Sequence, residues 1–322
     1  MALLMKVYHM KIKHILNKFT VYRRIATAIH KRKVEKNPVD EMNRCYRMLY
    51  NKAPDLQNPN DFLEKVYWLQ LHSDTSLWTK CADKYRVREY VRECGLQDYL
   101  PKLYGTWKAG KEIDFENLPD SFVLKTNNSC GTVIIVKDRK TLDQRRARRQ
   151  LDAWLKEPYG YRGAQLHYLG IPPCIIAEEL LVQGEEQNQI SPSSLIDYKV
   201  FCINGKPECV LVTYNRTRDG LWVTLYDTEW NVMKDKVGEN FADHYHHHPE
   251  VELEKPSCFE EMLKIATTLS RPFAEVRTDF YIIKDRPYIG ELTFTAGTGV
   301  FTDSYYKYLG SLIDLSKVKR IR

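Results

Sequence analysis

No apolar run in this 322-residue chain approaches the roughly 20 residues that a membrane-spanning helix needs. The first residues lack a clean secretory pattern, because Lys6, Lys11 and Lys13 interrupt their apolar side chains. The eight cysteines, at 45, 81, 94, 130, 174, 202, 209 and 258, form no CxxC pair and no disulfide-like spacing. They read as reduced thiols, so the expected location is cytoplasmic. Internal repeats and low-complexity tracts are absent. The net charge of +7 is also absent from most of the chain: residues 1–36 hold ten Lys/Arg and one acid, Glu35, while the rest holds 39 basic and 41 acidic residues. A globular body without basic excess argues against a nucleic-acid-binding face. What remains is a chain 43% hydrophobic and 12% aromatic, enough for a large core and more than one subdomain.

The most informative stretch is Val276 to Gly299. Two runs rich in β-branched and aromatic residues flank Lys284, Asp285 and Arg286, which predicts a β-hairpin with a three-residue loop. Period-two alternation then divides it. Val276, Thr278, Phe280, Ile282, Tyr288, Leu292 and Phe294 form a core face, and Arg277, Asp279, Tyr281, Ile289, Glu291 and Thr293 form a polar one. Asp279 faces Glu291. Opposed carboxylates lie about 5 Å apart and repel, so neutralising one is expected to leave the ligand-free protein as stable or slightly more so. A cation relieves the repulsion: either Mg²⁺, which favours hard oxygen ligands and phosphate, or Arg277 on the same face. The hairpin alone fits both.

Residues 121–137 carry the second signal. SFVLKT and TVIIVK read as strands joined by Asn127, Asn128, Ser129, Cys130 and Gly131. Small and turn-forming residues can turn several N–H groups into one space and hold an anion, with Lys125 at the mouth as a point charge. Elsewhere, Asp61/Glu64 and Ser257/Glu260 have capping-box spacing at the heads of helices. Residues 82–94 and 142–156 show helical spacing, with Gly95 placed to end the former. Residues 171–182 read as a strand, and 197–213 as a hairpin turned at Asn204-Gly205. The HYHHH run at 244–248 is expected to be an exposed loop rather than a metal site. Residues 3–35 read as a basic amphipathic helix. It packs on the body with its basic face in water or attaches to an anionic membrane surface.

The order of these pieces resembles the ATP-grasp superfamily, and within it the TupA-like proteins named for teichuronopeptide synthesis. The matching phrases are FVLKTNNSCG, IIAEELL, DYKVFCINGKPE, YDTEWN and VRTDFYIIKDRPYIGELTFTAGTG, over roughly Thr79 to Leu312. The resemblance implies an α+β ATP-grasp fold, with a nucleotide held between two α+β subdomains and a helical N-terminal extension. The implied spans are 1–60 for the extension, 61–120 for a helical region, 121–182 for a small lobe over the phosphates, and 183–322 for a large lobe. By the same resemblance, Lys125, Arg88 and the loop Asn127–Gly131 contact ATP phosphates. Glu178, Glu179, Leu180 and Leu181 form the hinge that reads adenine, and Glu185 or Glu186 takes the ribose. Lys199 and Arg216 face the γ-phosphate and acceptor, and Asp279, Glu291 and Thr293 hold Mg²⁺. Thr293 stands where many members have Asn, and Asn128-Ser129-Cys130-Gly131 replaces a more frequent His-Gly-Ser-Gly.

The chemistry so implied is ATP-dependent ligation of a carboxylate to an amine through an acyl phosphate, where the enzyme mainly positions groups and neutralises charge. The family context implies a small-molecule or lipid-linked glycan acceptor in cell-surface polysaccharide biosynthesis. Residues 1–36 would then be a possible contact with anionic membrane at its inner face; the oligomeric state stays open. Rival readings are a kinase acting on a glycan hydroxyl, a glycosyltransferase, for which no clear DxD-type motif is present, and a non-catalytic nucleotide-binding module, against which Lys125, Asp279 and Glu291 argue.

Overall fold

The computed structural model describes residues 20–238, 245–247, 252–296 and 299–321. The chain opens on helices α1 (Thr20–Lys36), α2 (Pro38–Tyr50), α3 (Phe62–His72), α4 (Ser76–Ala82) and α5 (Val87–Glu93). Strands β1 (Leu103–Trp107), β2 (Phe122–Thr126), β3 (Val133–Val136) and β4 (Ile175–Glu178) form an antiparallel sheet ordered β1-β4-β2-β3, with helix α6 (Gln144–Trp154) between β3 and β4. Beyond the short helix α7 (Glu185–Ile190) lies the larger sheet. Its strands are β5 (Asp197–Ile203), β6 (Lys206–Tyr214), β7 (Leu221–Tyr226), β8 (Tyr245–His247), β9 (Glu275–Ile283) and β10 (Arg286–Thr293), in the order β10-β9-β5-β6-β7-β8. Helix α8 (Phe259–Ser270) precedes β9, and α9 (Asp303–Leu312) follows β10. The architecture is α+β. The small sheet takes in β1, which lies upstream of residue 121, because β1 pairs with the far edge of β4.

Alternation decides which side chains each sheet keeps dry. Phe122 and Leu124 of β2 and Ile175 and Ala177 of β4 pack on Ala147 and Leu151 of α6. Their neighbours Val123, Lys125 and Glu178 therefore point to the opposite face. In the large sheet Tyr198, Val200 and Cys202 pack against Phe259, Met262 and Ala266 of α8. Asp197, Lys199 and Phe201 point the other way, where Phe201 meets Phe62 of α3 and Tyr305, Tyr306 and Leu309 of α9.

Several local expectations hold. Asp61 and Glu64 form the capping box, Glu64 N–H donating to Asp61 Oδ1 at 2.8 Å. Asn204 and Gly205 have φ of 50° and 78°, the two left-handed residues of a type I′ turn. Gly95, at φ 73°, follows the end of α5. Others fail for identifiable reasons. The Ser257 hydroxyl donates to Asp285 Oδ1 at 2.8 Å and caps nothing, because the hairpin turn folds back beside α8. Residues 82–94 are not one helix: Asp83 Oδ1 accepts from Tyr85 N–H and Arg86 N–H, which makes a turn before α5. Tyr245–His247 is a short strand parallel to β7 rather than loop, while His244 and His248 lie outside the described residues. Of the basic N-terminal segment, residues 20–36 are helical and residues 1–19 lie outside the described residues.

The β9–β10 hairpin differs instructively from its expected form. Its loop has two residues, Lys284 and Asp285, both left-handed at φ 49° and 58°. Tyr288 thus pairs with Tyr281 and Ile289 with Phe280, so Ile289 is buried in the core and Tyr288 joins the polar face, the reverse of the expected assignment. A β-bulge between Ile289 and Glu291 then inserts Gly290 and shifts the register by one. Glu291 consequently sits opposite Asp279. Without the bulge it would pair with Thr278 and point into the core. A Cβ on Gly290 would stand 3.0 Å from Tyr281 Cε2 and 3.3 Å from Asp279 O. Gly290→Val is therefore expected to cost about 1–3 kcal/mol, the range for overpacking; thermal denaturation checks this, and an unchanged Tm would show that the bulge tolerates a side chain.

Candidate active site

Three strands present one charged surface. Lys199 on β5 pairs with Asp279 on β9, which pairs with Glu291 on β10, so the three side chains stand in a row across the sheet. Lys199 Nζ donates to Asp279 Oδ2 at 2.7 Å and also to Asp197, two residues along its own strand. Arg277 grips Asp279 with a fork, Nε to Oδ1 at 2.6 Å and Nη2 to Oδ2 at 2.7 Å. Arg277 Nη2 lies 3.7 Å from Glu291 and donates to the Thr293 hydroxyl at 3.2 Å. Lys84, from the turn before α5, completes the cluster with its Nζ 3.4 Å from Glu291 Oε2.

The opposed carboxylates therefore do not repel uncompensated. Burial pushes the Glu291 carboxyl up, but Lys84, Arg277 and Lys199 outweigh it and hold it at about 2. Burial, together with the charge of Asp279, pushes the Asp197 carboxyl up against the pull of Lys199. The Arg277 guanidinium is held charged beside Asp279 despite its burial.

A second cluster sits on the small sheet. Glu178, at the end of β4, is almost wholly buried and accepts from Lys125 Nζ at 2.7 Å and from Arg88 Nη1 at 3.1 Å. Arg88 Nη2 also donates to Pro101 O at 2.7 Å. Lys125 thus has a carboxylate partner within the protein. Glu178 contributes its side chain to the cluster, a role distinct from the backbone one expected of a hinge. Beside these charges, Val133 pairs with Lys125 and Ile135 with Val123, so both share their face of the sheet. Val133 is 41% exposed and Ile135 is 60% exposed, an uncovered apolar surface next to charged groups.

The β2–β3 loop is tied from within. Asn127 is fully buried: its Nδ2 donates to Asp83 Oδ1 at 2.8 Å and its Oδ1 accepts from Cys174 N–H at 2.7 Å. The Ser129 hydroxyl bonds those of Thr126 and Thr132 at 3.1 and 2.9 Å. These two side chains hold the loop's shape and do not project into open space. The Asn128 Oδ1 is buried without a partner among the described residues. Cys130 and Gly131, the latter at φ 74°, form the exposed tip. Lys84 Nζ donates to Ser129 O at 2.8 Å, so one ammonium joins this loop to Glu291 on the other sheet.

The remaining candidates are less concentrated. Glu179 N–H donates to Lys102 O at 2.9 Å, while the N–H groups of Leu180 and Leu181 have no partner among the described residues. Glu185 is exposed at the head of α7 and joins neither cluster. Arg216 is exposed beyond β6, and its charge reaches Tyr281 beside Asp197. Lys84, Asp197, Val133 and Ile135 were not singled out from the sequence for these positions. The one signal for Lys84 is proximity: it lies four residues before Arg88, which the resemblance places at the nucleotide.

The donor set is compatible with Mg²⁺. Glu291 is an ionised carboxylate 29% exposed, Thr293 adds a hydroxyl beside it, and Asp197 Oδ1 is buried without a partner among the described residues. Asp279 already receives the Arg277 fork and Lys199, so its share would use the lone pairs these leave free.

A family model described as TupA-like ATPgrasp matches residues 64–314. Among solved structures, the chain is similar to D-alanine–D-alanine ligase from Bacillus anthracis complexed with ATP, at 14% identity over 79% of this chain and 72% of that one, with a TM-score of 0.42. It is similar to the ADP complex of PurK, N5-carboxyaminoimidazole ribonucleotide synthetase, at 13% identity over 73% and 51%, with a TM-score of 0.45. It is also similar to L-amino acid ligase from Bacillus licheniformis, at 15% identity over 77% and 52%, with a TM-score of 0.43. The chain spans about half the length of the latter two. No curated protein matches this sequence. The family match runs from within α3 to just beyond α9 and takes in both sheets and both charged clusters, so the chain belongs to the TupA-like ATP-grasp family.

Proposed function

We propose that this protein is an ADP-forming ligase that uses Mg-ATP to join a carboxylate to an amine. The observation that carries this reading is the Lys84 bridge: one ammonium spans the β2–β3 loop and Glu291, with Lys199 and Arg277 in the same cluster. Such a cluster suits a transferring phosphoryl group, whose charge spreads over several oxygens. The substrate carboxylate takes the γ-phosphoryl group to give an acyl phosphate, and ADP leaves. The amine nitrogen then attacks the acyl carbon, phosphate departs, and the nitrogen loses a proton.

Lys125 and Arg88 would hold the phosphates, Lys84 and Lys199 would steady the transferring group, and Arg216 would face the acceptor. Glu291, Asp279 and Thr293 would hold Mg²⁺, which when bound offsets charge on the phosphates. The exposed Val133 and Ile135 would take the adenine ring, and the unpaired N–H groups of Leu180 and Leu181 its edge. The finer reading, amino-acid or peptide attachment to a small-molecule or lipid-linked glycan in surface-polysaccharide biosynthesis, is supported by family membership.

ADP release measured against a panel of carboxylates, amines and sugars tests the reaction class. Release that needs both a carboxylate and an amine is the expected result; release with a sugar hydroxyl alone would make the protein a kinase. Ile135→Asp tests the adenine platform. Because Ile135 is already exposed, folding should be little changed, while ATP affinity should fall about tenfold as a carboxylate is set against the ring. Calorimetry showing unchanged affinity would remove β3 from the nucleotide site.

A further inference from the structure

Helix α1 has two unlike faces. On the inner one Val34 is buried at 2% exposure, and His30 Nε2 donates to Tyr161 O at 3.1 Å. The Tyr161 hydroxyl donates to Glu35 Oε1 at 2.6 Å, and Lys31 Nζ stands 5.2 Å from the centre of the same ring. These contacts fasten the helix to the body. On the outer face Ile25, Ile29, Arg32 and Lys36 follow one another at helical spacing and form a single stripe. Ile25 is 54% and Ile29 49% exposed. Among the described residues, Arg32, Lys33 and Lys36 have no acidic side chain within ion-pair distance.

A stripe that is apolar and cationic at once narrows what can cover it. Residues 1–19 hold Lys6, Lys11, Lys13 and Lys18 and no acid, so they would bring like charge. A second copy in a two-fold contact would bring a second set of the same cations, and the stripe holds no acid to pair with them. A nucleic acid would satisfy the cations but leave the isoleucines in water. An anionic lipid surface satisfies both, because isoleucine can enter the boundary between headgroups and acyl chains while Lys and Arg pair with the phosphates.

We propose that the outer face of α1 seats this protein on the surface of an anionic phospholipid bilayer. The inner face keeps the helix on the body, so attachment orients the enzyme without inserting it. The sequence alone left packing and attachment as alternatives; the two faces of α1 allow both together. This inference does not depend on the reaction proposed above.

The test is flotation of the full chain with vesicles of one part phosphatidylglycerol to three of phosphatidylcholine, against vesicles of phosphatidylcholine alone. Binding is expected to the anionic vesicles and to weaken as salt is raised. Arg32→Gln with Lys36→Gln should weaken it about thirtyfold, two surface cations having been removed. Ile25→Glu with Ile29→Glu should weaken it by at least about tenfold, with circular dichroism and melting unchanged because both positions are exposed. Equal binding to neutral vesicles, or variants that float like the parent, would overturn the proposal. So would parental self-association that the isoleucine variant loses, which would name a second copy as the occupant. Binding to duplex DNA that the glutamine variant loses and the isoleucine variant keeps would name a nucleic acid instead.

Discussion

Glu291→Gln is expected to cut Mg-dependent turnover by about 10²–10³, the range for losing one preorganised electrostatic contact to a reacting group. The same change should destabilise the ligand-free protein, contrary to what bare opposition of Asp279 and Glu291 suggests. Glu291 faces Lys84 at 3.4 Å and Arg277 at 3.7 Å, and its carboxyl is held at about 2 against an ordinary 4.5. A carboxyl whose pKa falls on folding stabilises the fold above its unfolded value, and that contribution disappears as pH drops through the folded value. The stabilisation should thus be present at neutral pH and be lost between about 4.5 and about 2. Removing the charge at neutral pH is expected to cost about 1–3 kcal/mol, less than burial alone would imply because the side chain is partly solvated. Urea denaturation of parent and variant, at neutral pH and within the acid window, measures this, and their difference should shrink on acidification. A variant as stable as its parent at neutral pH would mean the three cations do not hold Glu291. Retained Mg-dependent turnover would remove Glu291 from the metal site.

Lys125→Ala should weaken ATP binding about ten- to hundredfold, the effect of losing a charge-assisted contact of ~1.5–3 kcal/mol. Its effect on the fold should be smaller. Lys125 bonds Glu178 at 2.7 Å, but Arg88 remains on the same carboxylate at 3.1 Å, so the buried acid is not left without a cation. Calorimetric titration with ATP beside a melting curve separates the roles. Unchanged ATP affinity with a lowered Tm would leave Lys125 as a structural partner of Glu178 and nothing more.

What the sequence determined by itself was local. Runs of β-branched and aromatic residues identified the strands of the β9–β10 hairpin, Asn204-Gly205 specified a type I′ turn, and Asp61 with Glu64 specified a helix start; each depends on side chains a few residues apart. The long ordered phrases identified the family. The opposition of Asp279 and Glu291 was anticipated through a three-residue loop, whereas the structure reaches it with a two-residue loop and a bulge at Gly290. The two differences cancel at Glu291 and do not cancel at Tyr288 and Ile289, which exchange faces. Tertiary structure alone decided the partners of the charges. Lys125 and Glu178 are 53 residues apart, Arg88 and Glu178 are 90 apart, and Lys84 meets both Ser129 and Glu291. Charge attraction carries no sequence period, so nothing in the local pattern marks which carboxylate a lysine will find. The exposure of Val133 and Ile135 was hidden for a related reason: TVIIVK reads as a strand without saying which of its faces is covered, and the packing of α6 on the far side of the sheet leaves the face of Val133 and Ile135 open.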